Sequence, residues 1–189
     1  MTELSGYQRA LDGFETVLGE VPPDGWAAPS PCAGWSARDV AGHLIGGQYM
    51  IRALALGVER PETNAEPGQF AGTDPMESWR KARKDCAAAL TPEALRRPIP
   101  MGRLGDVPLH DFLGGYILEL LVHTWDLAQA TDVPARLDPD LVHHAFATAR
   151  VIAAPMRAAG MLAPALTAPP RANELTRLLA FLGRQAQPA

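Results

Sequence analysis

From Leu109 to Ala135 the chain carries no lysine or arginine, yet Glu119 and Asp126 sit within that largely apolar run. Leu109, Phe112, Leu113, Ile117, Leu118, Leu120, Leu121, Val122, Trp125 and Leu127 would point almost all round a helix, so the segment from about Leu109 to Thr131 reads as a helix buried on most sides. On a wheel of about 100° per residue, Glu119, His123 and Asp126 fall within an arc of roughly 60°, with Tyr116 beside them. Carboxylates buried without a cation are costly. A divalent ion removes that cost, and imidazole with carboxylate is an ordinary ligand set for zinc and its neighbours.

A second helix supplies a third ligand. Ser36 is its N-cap and Asp39, three residues on, completes a variant of the capping box; the helix continues to about Gly57. Arg38, Gln48 and Arg52 fall on one side of it and His43 on nearly the opposite side, so His43 is expected to face inward. The residues expected to bind metal are therefore His43, Glu119 and His123. Gly46 and Gly47, on the face of His43, leave space that a substrate or a thiol would need beside an ion. Asp39 and Asp126 have the chemistry to orient the two histidines from behind, though Asp39 serves equally well as a helix cap and Asp126 as a fourth ligand. The plainer alternative is an i, i+4 surface pair at Glu119 and His123 and a hydrogen-bonded core histidine at His43. No residue is singled out as catalytic.

The rest of the chain reads as scaffold. A first helix spans about Ser5 to Gly19, a third about Asp74 to Leu90, a further one runs from Asp138-Pro139 to about Ala154 before Pro155, and a short amphipathic helix covers Asn173 to Arg184. The prolines and glycines between Arg97 and Pro108 allow a small edge hairpin around Gly102 to Gly105. No parallel-sheet pattern or internal repeat is present, which makes the fold class all-α, a four-helix bundle with extra short helices. His143 and His144 are adjacent and cannot chelate one ion from a regular helix, and His110 has no evident partner. Cys32 lies close upstream of the His43 helix, where packing is the plainer role.

With 189 residues, 47% of them hydrophobic, the chain suits one domain over residues 1–189. A net charge of −4 offers no footprint for nucleic acid or an acidic membrane surface. No apolar run approaches the roughly 18 residues of a membrane span, and neither end resembles a targeting signal, which points to the cytoplasm. The two cysteines, Cys32 and Cys86, form no C-x-x-C pair. Serine-hydrolase, NTPase and dinucleotide motifs are absent from the sequence.

The stretches Ser30-Pro-Cys-Ala-Gly-Trp-Ser-Ala-Arg-Asp-Val-Ala-Gly-His43-Leu and Glu119-Leu-Leu-Val-His123-Thr-Trp-Asp126-Leu-Ala resemble the DinB-like metal-binding family, in particular the metal-binding domain of mycothiol-dependent maleylpyruvate isomerase. Leu178 to Arg184 resembles the close of a single-domain branch of that family. The resemblance implies a four-helix bundle with a divalent ion, zinc first and nickel or another transition metal next, on the residues matching His43, Glu119 and His123. It also implies mycothiol, or another low-molecular-weight thiol, as cosubstrate. Three functions stay open on these grounds: a thiol-dependent enzyme of transfer, isomerisation or detoxification acting on an electrophile, a metal-dependent hydrolase, and a non-catalytic metal-binding protein, with a homodimer compatible with each.

Overall fold

Helix starts fall where the sequence places its capping side chains. The computed structural model describes residues 2–62, 66–102 and 105–185. Helix α1 (Glu3–Glu20) follows Thr2, whose hydroxyl accepts the Ser5 N–H. Helix α2 (Ala37–Leu56) follows the complete Ser36–Asp39 capping box and stops at Gly57, which takes the left-handed conformation at φ 69°. Asp74 and Pro75 open α3 (Pro75–Ala89), Asp138 and Pro139 open α5 (Pro139–Ala158), and Asn173 opens α6 (Glu174–Phe181). Helix α4 (Leu109–Thr131) has no side-chain cap; the Leu109 N–H instead reaches Arg97 O at 2.9 Å.

Helices α1 to α4 form the bundle, with α1 against α4 and α3, and α2 against α3 and α4. Helix α5 packs on α4, and α6 on α5. Short 3-10 turns at Gly25–Ala27, Pro67–Ala71 and Ala94–Arg96 lie in the links, too brief for periodicity to reveal. Strands β1 (Pro98–Pro100) and β2 (Asp106–Pro108) pair antiparallel with Ile99 opposite Val107, which is the expected edge hairpin; part of its tip lies outside the described residues. Phe14 and Trp79 meet edge-on at 4.6 Å in the core, and the Trp79 indole donates to Glu15 at 3.0 Å. Among the described residues no helix is long and apolar enough to cross a membrane.

Two expectations change. Helix α5 runs past Pro155 to Ala158, because the backbone bond that Pro155 forfeits would have gone to Val151, which is 69% exposed and can give its carbonyl to water. Gln48 is not on a solvated face with Arg38 and Arg52: it is fully buried and accepts the Tyr7 hydroxyl at 2.8 Å. α2 is covered by α3, α4 and the 67–71 turn, so little of its circumference is left for water.

The close approach of α2 to that turn depends on Gly42, where an added Cβ would collide with the Pro67 carbonyl. Backbone cannot swing aside as a side chain can. Gly42→Ala should therefore destabilise the protein by about 1–3 kcal/mol despite alanine's better helix propensity, measured by urea unfolding. An unchanged or higher midpoint would show that α2 and the turn are not locked together.

Candidate functional site

His43 projects from the middle of α2, and Glu119 and His123, one turn apart, from the middle of α4. Both imidazole Nε2 atoms lie 3.4 Å from the same carboxylate oxygen, Glu119 Oε2. One ligand atom from each of the three lies within 4.8 Å of the others, an arrangement able to hold a metal ion. The rings of His43 and His123 meet at 4.8 Å, and Trp35 covers both, at 4.9 Å from His43 and stacked on His123 at 5.7 Å. This indole is fixed by the loop before α2, whose Trp35 N–H donates to Cys32 O and whose Trp35 O accepts from Ser30 N.

The electrostatics favour positive charge between the three residues. Burial works to raise the Glu119 pKa, but the imidazoles of His123 and His43 hold it well below the usual carboxylate range. Burial likewise disfavours His123 as a cation, yet Asp126 and Glu119 outweigh it and push its pKa up to about 9. The cluster thus draws in a proton when nothing else supplies charge.

Asp126 sits behind His123, with Oδ2 2.9 Å from His123 Nδ1 in an ion-pair contact that falls short of hydrogen-bond geometry. Its missing cation comes from far along the chain. Arg184, just beyond α6, donates from Nε to Oδ1 at 2.8 Å and from Nη2 to Oδ2 at 2.7 Å. Burial raises the Asp126 pKa and this fork, with His123, lowers it further, leaving it below the ordinary value. Both carboxylate oxygens of Asp126 are therefore engaged by Arg184, and Oδ2 faces the Nδ1 of His123 while the Nε2 of that ring faces Glu119.

Asp39 is turned to the cap, accepting Ser36 N at 2.9 Å and Ser36 Oγ at 2.6 Å, while buried His43 Nδ1 has no hydrogen-bond partner among the described residues. Gly46 is buried, and the room expected at Gly47 is taken by the Tyr116 hydroxyl, with which a Cβ there would collide. Open space adjoins the cluster instead in a cavity of about 310 Å³ lined by Leu118, Val122, Ile152, Met156, Met161 and Leu182. Cys32, half-buried, also lines it; burial and then the charge of Asp126 push its thiol pKa up, which leaves it a weak nucleophile. Of the remaining histidines, His143 pairs with Glu174 at 3.1 Å and His144 with Gly114 O at 2.9 Å. His110 does have partners, Leu95 O and Asp111, each at 3.1 Å.

Trp35 and Arg184 are the site residues that helical periodicity could not find, since one lies in a loop and the other past a helix end. Their only signal is membership in Ser30 to Leu44 and Leu178 to Arg184, two of the segments that resemble a known family.

A helical bundle with a His–Glu–His cluster facing a small apolar cavity defines the class. The family model described as the mycothiol maleylpyruvate isomerase N-terminal domain matches residues 7–128, a span that includes all three cluster residues, and the chain belongs to that family. Two relatives in Mycobacterium tuberculosis, the uncharacterized proteins Rv0738 of strain H37Rv and MT0763 of strain CDC 1551 / Oshkosh, are each 33% identical over 192 residues, covering 97% of this chain and 98% of theirs. Among solved structures, the crystal structure of a histidine-to-alanine mutant of mycothiol-dependent maleylpyruvate isomerase has the same fold, with a TM-score of 0.51 and 18% identity. That likeness covers 77% of this chain and 65% of the isomerase chain.

Proposed function

We propose that the protein is a divalent-metal-dependent enzyme that uses a low-molecular-weight thiol, mycothiol first, with His43, Glu119 and His123 as the metal ligands. One observation carries the metal: the two Nε2–Oε2 separations of 3.4 Å. Hydrogen bonds of this kind are normally about 2.7–3.2 Å. A tetrahedral ion with bonds of about 2.0–2.1 Å instead sets neighbouring ligand atoms about 3.4 Å apart. Zinc satisfies that spacing and the nitrogen and oxygen donors, and nickel accepts the same donors.

An ion held there would supply a Lewis acid that lowers the pKa of an incoming thiol and presents it as thiolate. The protein's own groups do the rest. Arg184 and Asp126 fix the His123 ring from behind, Trp35 caps the two imidazoles, and the apolar walls limit water at the reacting sulfur. In a conjugation, the sulfur–carbon bond forms, the thiol proton leaves to solvent, and the displaced group departs with its bonding pair. The engagement of both Asp126 oxygens by Arg184 leaves three protein ligands among the described residues, which favours an open, reactive site over a saturated structural one.

The test is a cobalt-substituted protein titrated with mycothiol and, separately, glutathione. A change in the visible cobalt bands with mycothiol at lower concentration than with glutathione is expected. Bands that respond to neither thiol would rule the thiol-dependent reading out.

A further inference from the structure

The same site carries information about what the thiol reacts with. Its cavity wall is built by Leu118 and Val122 of α4, Ile152 and Met156 of α5, Met161 just past α5, and Leu182. The one arginine or lysine among the described lining residues is Arg184, and its Nε and Nη2 are already given to Asp126, which is fully buried. That pair is neutral as a unit. Glu119, the one carboxylate among the described lining residues, faces His123 and so meets the positive charge that the cluster draws in. A dicarboxylate entering here would have to shed water from two charges where each positive charge already faces a carboxylate or, with an ion held, the thiolate, a cost that ion pairing alone seldom recovers.

From this we infer that the electrophile is a small uncharged molecule with an apolar body; the inference rests on the thiol-dependent reading above. A cavity of about 310 Å³ has room for one ring or a short branched chain. Met156 and Met161 are unbranched and polarizable, so the wall adapts to bodies of different shape. An α,β-unsaturated ketone illustrates the balance of the step. The sulfur–carbon bond forms at the β-carbon, the π pair moves to the α-carbon, and the thiol proton ends there, so no further reactant is needed.

Binding can be read without metal or thiol. 4-Fluorotoluene is titrated into the full-length apo protein while its fluorine NMR line is followed, with 2-cyclohexen-1-one and maleate as competitors. Line broadening reversed by cyclohexenone, and not by maleate at about tenfold higher concentration, is expected. Ile152→Lys, which sets a free cation in the wall, should weaken the fluorotoluene effect and let maleate compete. Absence of broadening in folded protein, or maleate competing as well as cyclohexenone in the unmodified chain, overturns the inference. The two tests separate the failures: a fluorotoluene site in a protein whose cobalt form ignores thiols removes the thiol reading, whereas thiol-responsive cobalt without a fluorotoluene site removes the apolar selectivity alone.

Discussion

Alanine at His43 or at His123 is expected to cut the divalent metal retained by the purified protein at least about tenfold, since even the loss of groups behind a ligand costs tenfold to a hundredfold in affinity. His143→Ala serves as the matched control. It removes an imidazole that is exposed and paired with Glu174, remote in role from the cluster, so metal content should stay at the unmodified level. Elemental analysis of the three variants after identical dialysis decides the matter. Equal metal in all three would dissolve the assignment of His43, Glu119 and His123 as ligands. Circular dichroism on the same samples distinguishes a lost ligand from a lost fold.

The second large effect concerns the Arg184–Asp126 pair. Asp126 is fully buried and the Arg184 side chain is 11% exposed, so removing the arginine leaves that carboxylate inside the protein with only His123 facing it. Arg184→Met should destabilise by about 3–5 kcal/mol in urea unfolding. Adding Asp126→Asn should recover part of the loss, because the stranded charge is gone. If the double variant is no more stable than the single one, packing of the arginine stem and not charge neutralisation is its contribution. The acid limb follows from the direction of the Asp126 shift: its folded pKa is lowered, so the stability from the pair is present above the ordinary aspartate value and is lost as pH falls through the folded one. The unmodified protein should lose stability on acidification more steeply than the double variant, which lacks that group.

These residues also show what could be read from the chain and what could not. Glu119 and His123 are one turn apart, and His43 opposes a charged face of its own helix, so local periodicity was sufficient to direct all three inward. Arg184 was beyond that method. The absence of a cation along α4 is a true statement about one helix, but a counter-charge arrives through space from a residue 58 positions away. Gln48 fails for a related reason: its wheel position beside Arg38 and Arg52 indicates solvent only when nothing covers that side, and the covering comes from other elements. Gly47 carries the same lesson at atomic scale. A missing side chain was expected to mean space, whereas the hydroxyl of Tyr116 fills it. Capping residues, by contrast, act within four positions, and the helix starts they marked agree with the structure to within a few residues.

His43 and Glu119 lie 76 residues apart in the chain and meet only because α2 docks on α4. An unfolded chain would have to close that loop before it could chelate anything, so the free energy of binding an ion there would largely be free energy of folding. A free ion at about a hundred times its dissociation constant would add about 2.7 kcal/mol to the native state. Metal supply would then set how much of this protein a cell keeps folded, and a chelator would act on it as a denaturant.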